Sequence, residues 1–482
     1  MGVLSNLEPK EVFEQFEALS QIPRRTYRDE KISDYCVEFA KSHGLEYVQD
    51  EVGNVVIYKD GTEGYEDSEP VILQGHMDMV ASKTLESDHD FDNDPIEIII
   101  DGDYIGAKDT TLGGDDGIAL AYAMAILASD DIPHPPIEAL FTIDEEIGMG
   151  GAHAFDTSLL HGRKLLNIDG EEDGVLVVGC AGGTVVDVVI PISRRLRNGV
   201  KVSVTLKGYQ GGHSGNDIQR QRGNAIKDMG RVLHTLSKKI DFSLLSLLGG
   251  NAANVIAQYC KAEVVMSADR VPDFRARLEE LIETIRSEYG GTEPEHQLKV
   301  IVGDEDNYSV LNWESTVNMI WYLYGAIDGV QAMDRNVEGA VESSLNTGIV
   351  TTEDTTCVVR YQARSSIDSK LDEMVQRLGL WSEIVGGHLE VDSSYPAWPY
   401  NPVSELRPLM IDVYKDMFGE EPAVELLHAG LEGGILMGKD PDLDIVNFGP
   451  EMLNVHTPTE RLNIASAAKN WEYLKEVLRR LK

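Results

Sequence analysis

Short apolar runs recur along this chain, and each one stops at glycine, histidine or acid. Val71-Ile72-Leu73-Gln74 reads as a buried strand ended by Gly75, with His76-Met77-Asp78 directly after it. Residues 137–143 form a second such strand and run into Asp144-Glu145-Glu146 and the glycine-rich stretch 148–151. A third, 165–168, runs into Asp169-Gly170-Glu171-Glu172. Between the first two, a helical run at 118–127 follows at once on Thr111-Leu112-Gly113-Gly114-Asp115-Asp116-Gly117. Upstream, 8–20 and 29–43 have helical spacing around the break Ile22-Pro23-Arg24-Arg25, and 45–49 and 54–58 read as short strands. Residues 95–100 and 104–107 read as a hairpin across Asp101-Gly102-Asp103. In an open α/β sheet the carboxyl ends of the strands share one crevice. The pattern therefore predicts that His76, Asp78, Asp115, Glu145, Glu146 and Asp169 face a common site.

The pattern changes after Ile190. One series has a strand at 201–206, a helix at 225–236, the signature Asn254-Val255-Ile256, a strand at 262–268 and a helix at 274–286. A second has a strand at 297–302, a helix at 317–326, Asn346-Thr347-Gly348-Ile349, a strand at 356–363 and a helix at 370–378. A β-α-β-β-α unit used twice predicts an α+β lobe at 188–394, inserted in an α/β domain made of 1–187 and 395–482. The chain then resumes with a helix at 404–418 capped by Ser404 and strands at 423–427 and 444–448. A loop bearing His456 follows, then a terminal helix capped by Thr459 or Asn463.

A length of 482 residues agrees with two domains. The balance of 42 Lys and Arg against 82 Asp and Glu leaves a charge of −40, a surface that repels nucleic acid and anionic lipid, so neither is expected as a partner. No run approaches the ~18 apolar residues of a membrane span. The opening Met1-Gly2-Val3-Leu4-Ser5-Asn6 lacks the basic and apolar regions of a secretory leader. Cys36, Cys180, Cys260 and Cys357 are scattered without a C-x-x-C, which suits reduced thiols. A cytoplasmic location is expected.

Each candidate also has a bland reading. Asp115 and Asp116 can cap a helix and answer its dipole, acids after a strand are ordinary loop surface, and a histidine in a loop is commonly exposed. Repetition at successive strand ends weighs for the functional reading. Two imidazoles, His76 and His456, with the carboxylates of Asp115, Glu146 and Asp169 form a nitrogen and oxygen set suited to zinc, manganese or cobalt. Five ligands exceed one open catalytic zinc but serve two metals if one carboxylate bridges. Two metals about 3.5–4 Å apart can share a water and lower its pKa. Asp78 is placed to orient His76. Glu145 is left to take the water's proton, a role worth about 10²–10⁴ in rate. No H-E-x-x-H, G-x-S-x-G, Walker loop or post-strand G-x-G-x-x-G is present. Gly212-His213-Ser214-Gly215 reads by itself as a loop of the inserted lobe.

With these residues assembled, the sequence resembles the aminoacyl-histidine dipeptidases of the β-alanyl-histidine (carnosine) type, within a clan of two-metal exopeptidases that also holds aminoacylases and carboxypeptidase G. The likeness covers nearly the whole chain. It rests on Gly75-His76-Met77-Asp78-Met79-Val80, on Thr111 to Gly117, and on Asp144-Glu145-Glu146-Ile147-Gly148-Met149. It extends to Asn167-Ile168-Asp169, Gly211 to Gly215, Arg364-Ser365-Ser366, His428-Ala429-Gly430-Leu431-Glu432 and His456-Thr457-Pro458. The resemblance implies an α/β catalytic domain with a central mixed sheet flanked by helices, and an inserted α+β lid built from two similar halves. It implies that Asp115 bridges two divalent ions, zinc first and manganese or cobalt as alternatives. His76 and Asp169 would complete one, and Glu146 and His456 the other. Asp78 would orient His76 and Glu145 would be the base. From the lid, His213 would donate to the oxyanion, Arg364 would hold the substrate's carboxylate, and Asn254 would assist.

Two departures stand out: Gly114 replaces a common Ala and is expected to loosen the turn, and Gly433 replaces Cys and is expected to widen the pocket. The expected activity is metal-dependent hydrolysis of unblocked dipeptides such as β-Ala-His by a metal-bridging water activated by Glu145. The alternatives are an N-acyl amino-acid deacylase or a broad di- and tripeptidase on the same site. A metal-binding scaffold without turnover is the reading from another class, and it has no use for Glu145. The duplicated lobe is compatible with a lone chain or with a homodimer.

Overall fold

In the computed structural model, which describes residues 2–482, the buried strands predicted above lie side by side. Ile137–Thr142, Val71–His76, Lys164–Asn167 and Asp444–Asn447 are consecutive and parallel at the centre of an eight-stranded sheet. The first two are buried along their whole length, as strands covered on both faces must be. Antiparallel strands Glu46–Gln49 and Val55–Lys59 extend one side, and Val175–Cys180 and Ala423–Leu427 the other, so the sheet is mixed. Register sets His76 opposite Thr142 and Gln74 opposite Asn167, which brings three carboxyl ends level.

The helix Gly114–Ala128 is buried through Leu127 and packs on the central strand. Val71–His76 runs through Gly75 rather than stopping there. Glycine is required because a Cβ at that position would lie 2.6 Å from both Ala119 Cβ and Asp116 Oδ2. The hairpin Ile98–Asp101 and Tyr104–Ala107 belongs to a separate four-stranded sheet with Met452–Leu453 and Arg461–Asn463. That small sheet carries the loop of His456. Asn463, rather than Thr459, caps the terminal helix Ile464–Arg480, and Ser404 Oγ accepts the N–H of Arg407. Among the described residues no helix is long and apolar enough to cross a membrane.

The chain divides into two compact units, one of residues 1–180, 398–426 and 431–482, the other of 181–397 and 427–430. The second holds a nine-stranded antiparallel sheet, eight strands of which form two halves in the same spatial order while Gly329–Met333 pairs beside Val341–Thr352. In one half the order is Gln297–Leu311, Arg194–Lys207, Cys260–Met266, Ser243–Gly249. In the other it is His388–Tyr395, Gly182–Pro191, Thr356–Ser365, Val341–Thr352. Each half carries two helices, Ala225–Ser237 with Val271–Tyr289 and Trp313–Gly325 with Asp368–Ile384. This corrects the duplication predicted from sequence. The strand at 297 closes the first half, pairing with Arg194–Lys207, instead of opening the second. The second half takes its first strand from Gly182–Pro191, so the first half is inserted within it. Periodicity reveals the type of an element, whereas its partner depends on hydrogen bonds across long stretches of chain.

Candidate two-metal site

Four carboxyl ends and helix mouths of the first unit converge as predicted. His76 is the last residue of its strand. Glu145 and Glu146 follow Ile137–Thr142, and Asp169 follows Lys164–Asn167. His76 Nε2 lies 3.0 Å from Asp115 Oδ1, 3.8 Å from Asp169 Oδ1 and 4.0 Å from Glu145 Oε2. From the other side, His456 Nε2 lies 3.0 Å from Asp115 Oδ2 and 2.9 Å from Glu146 Oε2. The two oxygens of Asp115 thus face two different imidazoles, the arrangement a bridging ligand needs.

Asp115 has φ −81° and ψ 107°, its peptide to Asp116 is cis, and neither carboxylate accepts an amide of the helix's first turn, where the N-cap position is held by Gly113. The capping role considered for Asp115 and Asp116 is therefore set aside: Asp116 Oδ2 instead accepts the backbone N–H of His76 at 3.2 Å. Asp116 also joins His76 and Asp169 in a second group whose ligand atoms lie within 4.8 Å of one another, beside the group of His76, Asp115 and Glu146. Asp78 Oδ1 stands 3.4 Å from His76 Nδ1. Its two oxygens also accept the N–H groups of Glu145 at 2.9 Å and Glu146 at 3.3 Å. One carboxylate therefore sets both the imidazole and the loop carrying Glu145 and Glu146.

The electrostatics fit cations. Burial works against ionisation of Asp115, yet hydrogen bonds from His456 and His76 hold its carboxyl below the usual range. Burial, with Asp116 and Asp115 close by, raises Asp169 well above it. Burial pushes Glu145 up to about 8, helped by Glu432, Asp115 and Glu146 and opposed by His76. Hydrogen bonds to Asp115 and Glu146 lift His456 to about 11. More buried carboxylate gathers here than two imidazoles can balance, and Glu146 Oε1 is buried without a partner. Nitrogen and oxygen donors in this crowding suit two divalent ions.

Other residues in the first unit were not anticipated. Glu432, 1% exposed, accepts from Gln74 Nε2 at 2.6 Å and Thr142 Oγ1 at 2.7 Å. Asn167 donates to Gln74 at 2.6 Å and Asn447 to Asn167 at 2.5 Å, completing a polar chain across four strands. The legible signal was Gln74, a lone polar residue in an apolar strand. Gly433 does not widen a pocket, because a Cβ there would sit 3.0 Å from the ring of Trp398. Nor is the turn at Gly114 loose: its N–H donates to Glu460 Oε1 at 2.7 Å.

The second unit holds its own cluster. His213 Nδ1 accepts from the N–H groups of Gly215 at 3.3 Å and Asn216 at 3.2 Å, which leaves the proton on Nε2. Burial and Arg364 lower its pKa, so the ring is neutral. Arg364 Nη2 lies 3.5 Å from His213 Nε2, and Nη1 donates to Tyr395 Oη at 2.8 Å. Two donors facing one space, with Arg364 only 4% exposed, suit an anionic ligand. Asn254 is exposed, and its backbone oxygen accepts from Ser214 N at 2.8 Å. Asn346, its counterpart in the second signature, is buried and donates to the carbonyls of Ala253 at 2.7 Å and Val255 at 2.9 Å.

His428, absent from the candidates above, pairs Nε2 with Ser344 Oγ at 2.7 Å, and burial with Arg364 pushes its pKa down to about 3. The unfolded chain protonates this ring near pH 6.5 and the folded one does not. Stability is therefore complete above that pH and is lost as pH falls toward 3. Between pH 7 and pH 5 the loss from this group is about 2 kcal/mol. Thermal unfolding of wild type and His428→Asn at both values should show a smaller pH effect in the variant, and equal effects would sink the assignment.

A model of peptidase family M20/M25/M40 matches residues 72–480. The chain is 34% identical over 484 residues to the cytosol non-specific dipeptidase of Escherichia coli strain K12, covering 100% of this chain and 99% of that one. Its structure is similar to aminoacylhistidine dipeptidase from Vibrio alginolyticus, with a TM-score of 0.92 and 35% identity over 98% of this chain and 97% of the other. A tripeptidase from Staphylococcus aureus shares the fold at 17% identity and a TM-score of 0.56, over 98% of this chain and 99% of that one.

Proposed function

The chain belongs to peptidase family M20/M25/M40, and from that premise we propose that it is a two-metal dipeptidase of unblocked dipeptides, Xaa-His such as β-Ala-His foremost. It is a hydrolase of peptide bonds, like the full-length relatives named above. The observation that carries the reading is Asp115, each of whose oxygens meets a different imidazole at 3.0 Å.

His76 and Asp169 would hold one ion, Glu146 and His456 the other, and Asp115 both. Bound there, two divalent ions, with zinc the first choice, would polarise the scissile carbonyl and acidify water. Glu145 supplies the base. Its carboxyl lies high because it is buried among other acids, and with divalent ions in place beside it Glu145 would accept a proton at neutral pH. It then hands that proton to the leaving amine. Asp78 keeps His76 and the base in register.

The inserted unit acts as a lid in this reading. His213 offers its Nε2 proton to the developing oxyanion, and Arg364 takes the substrate's terminal carboxylate in a bidentate contact. Asn254 assists from the same lobe, and closure excludes water during turnover. The E. coli relative is named a cytosol enzyme, and the same compartment suits this acidic chain with its four buried cysteines.

The two full-length relatives carry names of different breadth, so a substrate panel decides. β-Ala-His, Gly-His, Leu-Gly, Ala-Ala-Ala and N-acetyl amino acids, assayed with zinc or manganese after chelation, should show hydrolysis of dipeptides with Xaa-His the best. Release of amino acid from the acetylated compounds alone would make the protein a deacylase.

A further inference from the structure

His456 reaches Asp115 from a loop that lies between the short strands Met452–Leu453 and Arg461–Asn463. Its backbone is left-handed at Asn454 and at His456, and the imidazole is 47% exposed. Neither helix nor strand fixes this ligand, unlike His76. Four residues on, Glu460 is 2% exposed, and its carboxylate crosses to the turn that opens the helix Gly114–Ala128. Oε2 accepts the N–H groups of Leu112 at 2.8 Å and Gly113 at 3.1 Å. Oε1 accepts those of Gly114 at 2.7 Å and Asp115 at 3.4 Å. Consecutive amides closing on one carboxylate form a strong, charge-assisted cradle.

The same turn is gripped from its other side by Arg24, itself 2% exposed. Its guanidinium donates to the carbonyl of Gly113 and to those of Met77 at 2.9 Å and Asp78 at 3.2 Å. Arg24 therefore ties the turn to the His76 segment, and Glu460 ties it to the His456 loop.

We propose that Glu460 is a positioning residue that holds the His456 loop against the bridging Asp115, so that it governs one metal position and spares the other. The inference rests on the two-metal reading. Without Glu460, Asp115 keeps its link to His76 through Arg24 and through Asp116 on the His76 amide. His456 keeps no comparable anchor, so the ion shared by Glu146 and His456 should weaken while that of His76 and Asp169 stays.

The test loads chelated wild type, Glu460→Gln, His456→Ala and the double variant with Mn²⁺. Equilibrium dialysis reads stoichiometry and electron paramagnetic resonance reads exchange coupling between paired ions. Wild type should bind two coupled ions. Glu460→Gln should keep one tight ion, lose the coupled signal and bind the second about 10–100-fold more weakly. The double variant should bind Mn²⁺ no more weakly than His456→Ala, since both changes act on one position. Equal weakening of both positions, an unaltered pair, or an additive loss in the double variant would each overturn the proposal. Should Glu460→Gln not fold, Glu460→Asp carries the same comparison with the charge retained and the reach shortened. A wild type that binds a single ion would overturn the two-metal reading itself, and is told apart by that first arm.

Discussion

Replacing Glu145 by glutamine is expected to lower kcat on β-Ala-His by about 10²–10⁴ or more, the usual worth of a general base, while both metal ions stay bound. The ligand sets proposed on either side of Asp115 do not include Glu145. Glu145 Oε2 stands 4.0 Å from His76 Nε2, whereas Glu146 Oε2 is 2.9 Å from His456 Nε2. The backbone that carries Glu145 is held through its own N–H by Asp78 at 2.9 Å, a bond that the substitution leaves in place. Glutamine keeps the shape and removes the proton acceptor, so KM should change little and the loss should fall on kcat. Metal analysis beside steady-state kinetics reads both quantities. Near-normal turnover, or loss of metal with the activity, would show that Glu145 is not the base.

Asp115→Ala should have the larger effect on the metals. A ligand confined to one position would cost one ion when removed, but Asp115 meets His76 and His456 at 3.0 Å each. Its loss would remove the oxygen donor shared by both proposed ions, and leave His76 and His456 without the carboxylate that stands between them. Both positions should weaken by more than the ~10–100-fold typical of residues beyond the ligand shell, and hydrolysis should fall to background. Asp115→Asn keeps the volume and one oxygen, and should retain more metal than alanine. Dialysis against Zn²⁺ or Mn²⁺ distinguishes these results. Retention of two ions by Asp115→Ala would end the bridging assignment. Set beside Glu145→Gln, the pair separates chemistry from binding, since one variant should be full of metal and inert and the other inert because it is empty.

The residues at strand ends were the most legible part of the site. His76, Glu145, Glu146 and Asp169 each follow an apolar run that reads as a buried strand, and parallel strands bring their carboxyl ends to one edge. Of the adjacent acids Asp115 and Asp116, the sequence reading names Asp115 as the ligand without a local physical reason to prefer it. The choice between them depends on the backbone leaving helical geometry at Asp115, which turns one carboxylate to the imidazoles and the other to the amide of His76. Glu460 carried no signal, being one acid among 82 Asp and Glu in the chain, and its meaning lies in amides more than 300 residues away. Gly433 shows the opposite failure, for a small residue suggests space, yet here the ring of Trp398 occupies it.

What the sequence determined by itself is local: which runs are strands or helices, where acids and histidines end them, and, through its motifs, a resemblance to two-metal dipeptidases. Side-chain periodicity and backbone propensity act over a few residues, so they are written in neighbouring letters. The tertiary structure alone decided which oxygen of Asp115 faces which histidine, one of them 341 positions along the chain. It also decided that one half of the second sheet is threaded inside the other. Those outcomes depend on which distant segments pair once the chain has closed its loops, and local periodicity holds no record of that choice.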